Sequence, residues 1–305
     1  MPDKELVFEG EEMRLDNYLR RFYPNYSREL IKKIINSGLV SVNGKKPSPS
    51  VRLSSGDRVL VSSAKERISD ISINIKEMII YEDEFSLVIN KPESLLVHPT
   101  DENWTRDREA LSYGQSTLLS AIAKEYGKDF CAGDEKMGLV HRLDRETSGA
   151  MLVARRSDFA QAMRALFSSR EVNKKYLGLV SGSLPEKKFS IDAPIGRACG
   201  DKRLGVYKYG REALTEIKTL KTGGGFSYLE ISPRTGRTNQ IRVHLSHIGT
   251  PIVGDYIYGG VLCERLMLHS LSLSFIHPFT GKKFSIEAKP SKEFMLIVKE
   301  KLGKK

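Results

Sequence analysis

Residues 138–149 read GLVHRLDRETSG, and no other stretch restricts the fold as much. His141, Arg142, Asp144, Arg145, Glu146, Thr147 and Ser148 crowd into one short polar run. Apolar residues flank it, Leu139 and Val140 before and MLVA at 151–154 after. A polar run between two strand-like runs predicts a loop held by a sheet, and such loops often carry chemistry. A solvated turn with local ion pairs gives the same pattern, so the rest of the chain has to decide between them.

Before that loop lies a small module, residues 13–61. MRLDNYLRRFYP places Met13, Leu15, Tyr18, Leu19 and Phe22 close to helical spacing, and Pro24 ends the run. Ser27 is the expected N-cap of a second helix whose apolar face is Leu30, Ile31, Ile34 and Ile35, with Gly38 closing it. Residues 39–42 then alternate as a strand, and Asn43-Gly44 is a strong hairpin signal. Short strands follow at 51–53 and 58–61, with Gly56-Asp57 as a second turn. From 27 to 61, seven basic residues face two acidic ones, a balance of +5. Arg28, Lys32 and Lys33 fall on the side of the second helix opposite its apolar face, and Lys45 and Lys46 sit at the hairpin tip. Such a stripe suits backbone phosphates, which attract without sequence selectivity.

Composition points the same way. The chain of 305 residues has a net charge of +11, which favours a polyanionic partner, nucleic acid ahead of a membrane surface. No apolar run approaches the ~18 residues of a membrane span. The acidic start MPDKELVFEGEE is no secretory signal. Cys131, Cys199 and Cys263 are far apart without CxxC spacing, which argues against disulfides or a zinc site and fits a reducing cytoplasm.

After a polar linker at 62–70 the pattern changes. ISINI alternates, and IIYEDEFSLVINKP holds two strand-like runs around an acidic turn. Residues 101–115, with the only tryptophan, Trp104, read as a surface loop. STLLSAIAKEYG reads as a helix capped by Ser116 and ended by Gly127. SDFAQAMRALFSSREV reads as an amphipathic helix capped by Ser157 or Asp158. GGG at 223–225 is a hairpin loop, because it does not open a helix as a phosphate cradle does. Residues 195–242 hold ten basic and four acidic residues, a second basic surface. Strands outnumber helices, so a large sheet with packed helices is expected.

Four stretches together carry a resemblance: NKPESLLVHP at 90–99, HRLDRETSG at 141–149, KKYLGLV at 174–180 and RTGRTNQIRVHLSHIGTPIVGDYIYG at 234–259. In order and spacing they resemble the RluA-like pseudouridine synthases of the large-ribosomal-subunit and tRNA type. The likeness covers nearly all of the chain after about residue 75. SRELIKKIINSGLVSVNGKKP and LSSGDRVLV are similar to the S4 RNA-binding domain. The expected fold class is α+β: an S4-like domain at 1–64, a linker at 65–73, and a pseudouridine synthase domain at 74–305. The last is expected to hold a large mixed, mainly antiparallel sheet flanked by helices.

The resemblance implies the chemistry. Making pseudouridine breaks the N1–C1′ bond, turns the base and joins C5 to C1′, with no cofactor and no metal. It needs a carboxylate, and the likeness assigns Asp144, acting at C1′, at C6, or through a glycal route. A buried carboxylate needs a cation that lowers its pKa; the family position is Arg242, with Arg237 as the fallback or a phosphate contact. Tyr176 matches the tyrosine that stacks on the flipped base. Arg142 fills the space left by that base or contacts nearby RNA. Leu268 is a pocket wall or core. Ser94 stands where related sequences carry glycine, and Asn239 where many carry histidine, so hydrogen bonding suits Asn239 better than a base role. His98 touches substrate or is structural. The implied partner is structured RNA, large-subunit ribosomal RNA ahead of tRNA, for a cytoplasmic monomer. Two other classes fit parts of the pattern, a silent S4-type RNA-binding protein and a metal-dependent RNA hydrolase. The scattered histidines give the second no ligand spacing.

Overall fold

The computed structural model describes residues 4–22, 31–32, 35, 40–61, 73–99, 105, 111, 116–184, 188–198 and 203–303. The chain divides into two compact units, Met1–Ser72 and Ile73–Lys305.

The first unit contains β1 (Lys4–Val7), β2 (Met13–Arg14), α1 (Leu15–Phe22), β3 (Val40–Val42), β4 (Arg52–Leu53) and β5 (Arg58–Val61). Strand β5 lies between β1 and β3, antiparallel to both, and β2 pairs with β4. Helix α1 starts later than its spacing suggests, because Met13 is in a strand opposite Leu53. Leu15, Leu19, Ile31, Ile35, Leu53 and Val59 form the core. Asn43 and Gly44 both take positive φ, 50° and 75°, as a tight hairpin turn requires. The Asn43 side chain accepts from the Arg58 N–H at 2.9 Å and donates to Asp57 at 2.8 Å. Ile31, Lys32 and Ile35 are helical. The expected cap Ser27, the basic Arg28 and Lys33, Gly38, Cys199, the linker at 62–70 and Trp104 lie outside the described residues.

The second unit begins with α2 (Ile75–Met78), β6 (Ile79–Glu82), β7 (Ser86–Lys91) and α3 (Leu118–Tyr126). Then come β8 (Ser148–Ala154), α4 (Ser157–Ser168), β9 (Asn173–Ser181) and β10 (Lys188–Asp192). Next are β11 (Ile195–Gly196), β12 (Gly205–Val206), β13 (Leu214–Gly223) and β14 (Phe226–Pro233). The chain ends with α5 (Gln240–His247), β15 (Leu268–Ile276), β16 (Lys283–Glu287) and α6 (Lys292–Lys301).

Nine strands form one sheet in the order β10-β13-β14-β9-β15-β8-β7-β6, with β16 added on β15. Pairing is antiparallel except between β15 and β8, which meet in parallel at His269–Ser148 and Ser270–Gly149. The sheet is therefore mixed and mainly antiparallel, as expected. Gly224 and Gly225 form the β13–β14 hairpin turn at φ 58° and 80°.

Three local expectations are corrected. Alternation at ISINI gives no strand at its end: Ile75–Met78 is a helical turn that buries Ile75, and Asn74 donates to Glu77 at 2.7 Å across it. The cap of α3 is Thr117 instead of Ser116; its side chain accepts from the Ser120 N–H, and Ser120 returns a bond to the Thr117 N–H. In α4 the cap position is Arg156, with no side-chain cap bond. Asp158 sits inside the first turn, accepting from the Phe159 N–H at 2.7 Å and from Arg156.

Two cores lie along the sheet. One draws on β7, β8, α3 and α4; the other draws on β9, β13, β14, α5 and α6. Tyr176 packs against both, so it marks the seam between them.

Candidate active site

The polar loop 138–147 buries Leu139, Val140 and Leu143 in the first core, and a glycine at each end fastens it. Gly138 has φ +77°, and a Cβ there would lie 1.9 Å from the Ala154 carbonyl oxygen. Gly149 has φ +113°, and its Cβ would lie 2.1 Å from that of Ser270. Only glycine allows both the conformation and the approach.

Side chains hold the loop between these points. His141 Nε2 accepts from the Leu152 N–H at 2.9 Å, so its proton is on Nδ1, and its ring stacks on Phe167 at 4.7 Å. Burial, and secondarily Lys174, push its pKa down to about 3. Lys91, fully buried at the end of β7, donates to the carbonyls of Pro92, Leu95 and Arg145 at 2.9, 2.9 and 3.0 Å. It thereby ties the NKPES turn to the loop. Burial pulls its pKa down to about 7, against Glu146, Glu93 and Asp144. Ser94 has φ +63°, the left-handed region that favours glycine, and its carbonyl accepts from Arg145 Nε at 3.2 Å. Serine thus adopts the left-handed turn conformation expected of a glycine.

A second buried network anchors Ser148. Arg265 pairs with Glu93 at 2.9 Å and donates to Ser148 Oγ at 2.8 Å. His269 Nε2 donates to the Ala288 carbonyl at 2.8 Å, so its Nδ1 accepts from the Ser148 hydroxyl at 2.9 Å. None of Lys91, Glu93 or Arg265 was singled out by the sequence: Glu93 and Arg265 pair across a long stretch of chain, and Lys91 is held by backbone carbonyls, which leave no side-chain pattern.

The loop faces a cleft of about 480 Å³ lined by Arg142, Asp144, Tyr176, Arg237, Asn239, Arg242 and Leu268, among others. Asp144 Oδ2 lies 3.8 Å from Arg242 Nη1, with the carboxylate side chain 29% exposed and the guanidinium 5%. Arg242 has a closer partner. Its Nε and Nη2 make a bidentate pair with the buried Asp255 at 2.7 and 2.8 Å. Asp255 also accepts from the N–H groups of Ile257 and Tyr258, both at 3.1 Å. Asn239 accepts from Arg242 Nη1 at 3.3 Å, donates to the Tyr258 hydroxyl at 3.3 Å, and opens α5 at φ +55°. The Tyr258 ring lies 5.2 Å from the guanidinium carbon.

Asp255 changes the electrostatics expected of the pair. It already neutralises much of Arg242, so Asp144 feels a weakened cation. Burial raises the Asp144 pKa and Glu146 adds to the rise, while Arg242, then Arg142 and Lys91, pull it down. Arg242 thus lowers this pKa as expected of the cation, but burial outweighs it. Asp255 was missed although it lies in the GDYIYG stretch; an acid thirteen residues after Arg242 gives no local pairing signal.

The other expected residues are placed as follows. Burial raises the Tyr176 pKa to about 12, with Ser270 opposing and Asp144 adding, so its phenol stays protonated. Leu268 is buried and belongs both to the cleft wall and to the second core. Arg142 is exposed and its Nη1 lies 2.9 Å from His98 Nε2, so His98 supports Arg142. Arg237 donates through Nε to the Glu212 carbonyl at 2.9 Å and makes no pair with Asp144. Lys32 lies in the first unit. Among the described residues, no three His, Cys, Asp or Glu side chains are grouped to hold a metal, and no helix is long and apolar enough to cross a membrane.

The model for RNA pseudouridylate synthases matches residues 86–247, spanning the loop, the cleft and Arg242. The chain belongs to the RNA pseudouridylate synthase family. The S4 domain model matches residues 13–59 of the same synthase. An uncharacterized RNA pseudouridine synthase of Aquifex aeolicus is 38% identical, over 96% of this chain and 95% of that one. The ribosomal large subunit pseudouridine synthase D of Pseudomonas aeruginosa is 31% identical over 96% and 93%. Human RNA pseudouridylate synthase domain containing 1 superposes with a TM-score of 0.55 at 28% identity, over 70% of this chain and 82% of that one. The synthase is an isomerase, and the silent-binder and hydrolase readings are set aside by this membership.

Proposed function

We propose that this synthase isomerises specific uridines of large-subunit ribosomal RNA, with Asp144 as its reactive carboxylate. The substrate reading is supported by relatives named large-subunit synthases C and D, which align over nearly the whole chain. The residue reading is carried by one observation: Asp144 faces Arg242 in the cleft while Asp255 holds that arginine from behind.

In this reading the target uridine leaves the RNA stack and enters the cleft. Tyr176 offers an uncharged ring beside Asp144, and stacking there contributes on the order of 1–3 kcal/mol. Asp144 attacks C1′ or C6, or takes the 2′ proton; each route uses the ionised carboxylate. The N1–C1′ bond breaks, the base turns, C5 joins C1′, and the C5 proton is lost as N1 gains one. Arg242 stabilises the ionised form, and Asn239 orients Arg242 by hydrogen bonding. Leu268 gives the base an apolar wall. Arg142, steadied by His98, meets the RNA where the base has left.

Residues 1–64 recruit the RNA, with Arg28, Lys32 and Lys33 on phosphates and the chemistry confined to 74–305. The synthase acts in the cytoplasm as a monomer. Pseudouridine mapping of total RNA from cells with and without the gene tests the substrate. Sites lost from large-subunit ribosomal RNA support the reading; sites lost from tRNA alone overturn it.

A further inference from the structure

Basic side chains around the cleft fall into two groups. Lys175 on β9 pairs with Glu230 at 3.2 Å, and Arg234 pairs with Glu216 at 2.8 Å. Lys174, Arg170 and Arg237 line the cleft, yet among the described residues none of them forms an ion pair. Among the described residues Lys175 and Arg234 are thus neutralised, while Lys174, Arg170 and Arg237 have no carboxylate partner.

The two guanidinium groups among them also repel, Arg170 acting on Arg237. Burial first, then the fields of Arg211 and Arg170, oppose the charge of Arg237, and Glu212 supports it less than either arginine opposes it. Lys174 is half-buried, and a Cβ placed on Gly236 would stand 3.7 Å from its Nζ, so the amine lies against the 234–238 turn. Burial alone lowers its pKa, with no carboxylate to oppose the shift. An uncompensated, half-buried ammonium destabilises the free protein. A ligand anion removes that penalty. The main charges acting on Asp144 are Arg242, Glu146, Arg142 and Lys91. The cationic group therefore shares the cleft with the carboxylate but is separate from it.

We infer that Lys174, Arg170 and Arg237 form a subsite for a backbone phosphate of the RNA beside the flipped uridine. The inference rests on the RNA-modifying reading of the cleft and adds a second point of attachment to it. Chemistry supplies the need. Once N1–C1′ breaks, the base no longer holds the sugar, and C1′ must stay within reach until C5 attacks. A flanking phosphate gripped by three cations fixes the sugar through its own backbone, and guanidinium forks suit phosphate oxygens.

The test uses full-length protein, a nine-nucleotide oligouridylate and a KCl series, read by fluorescence anisotropy and by thermal melting. Lys174→Met should weaken binding about tenfold and reduce the salt slope by about 0.7, the value for one single-strand phosphate contact. Its Tm without RNA should rise, because the unpaired charge is gone; Lys174→Arg should keep affinity and slope. An oligouridylate with a neutral methylphosphonate backbone should bind wild type and Lys174→Met equally. Equal affinity and slope for wild type and Lys174→Met on the natural strand overturn the subsite, as does a lowered Tm in Lys174→Met. Stabilisation of wild type by millimolar inorganic phosphate equal to that by the oligouridylate assigns the site to free phosphate and overturns the RNA reading. These measurements involve no turnover, so an error in the proposed reaction shows separately in the activity of Asp144→Asn.

Discussion

Asp144 is an acid in surroundings that resist its ionised form, and the proposed chemistry uses that form. Burial raises its pKa above the usual 3.8, so activity should fall as pH drops through the raised value and the carboxylate takes a proton. Asp255 sets how far. Asp255→Asn removes the charge that neutralises Arg242, so the guanidinium acts more strongly on Asp144. The acid limb of kcat should move to lower pH, measured as a pH–rate profile, even as the variant loses stability through its broken buried pair. An unmoved limb would mean that Arg242 does not govern the carboxylate. The same burial has a consequence for folding. A carboxylate with a raised folded-state pKa binds more protons folded than unfolded, so its contribution to stability improves as pH falls through that value and is unfavourable above it. Asp144→Asn should therefore melt higher than wild type at pH 7; a lower Tm would mean the carboxylate supports the fold.

At the scale of elements, the loop's two glycines and its buried props decide where Asp144 stands. Gly149→Ala would drive a Cβ to 2.1 Å from the Ser270 carbonyl, at the parallel β8–β15 contact. Forcing those strands apart should cost about 3 kcal/mol in urea unfolding. A loss below about 1 kcal/mol would show that the strands yield. Much of this geometry was legible in the sequence. The polar run between apolar runs is a loop against a sheet, Asn43-Gly44 is a turn, and the triple glycine is a hairpin. Each depends on local backbone preference. Asp144, Tyr176 and Arg242 share one cleft, which the family likeness implied and spacing alone did not. What escaped was non-local. Arg265 reaches Glu93 and Ser148 from far along the chain, and Asp255 turns a two-member pair into three. The α3 cap slipped by a residue because Ser116 and Thr117 offer the same hydroxyl. ISINI misled because so short a run does not separate period 2 from a helical turn.

At the scale of the molecule, the work is proposed to divide between two units, recruitment in the first and chemistry in the second. Deleting Met1–Ser72 should lower affinity for large-subunit RNA fragments and flatten its salt dependence by nearly one unit per lost phosphate contact. Turnover at saturating RNA should change less. Equal affinity and slope for the truncated and full-length proteins would refute the recruiting role. The central claim is that this chain is a synthase working through Asp144. The direct measurement incubates purified wild type and Asp144→Asn with transcribed large-subunit ribosomal RNA, then quantifies pseudouridine by mass spectrometry and binding by filter retention. The account predicts pseudouridine with wild type and none with Asp144→Asn, at RNA affinities within about twofold, a gap of roughly 0.4 kcal/mol. Near-normal pseudouridine formation by Asp144→Asn, with its asparagine verified intact, would contradict it.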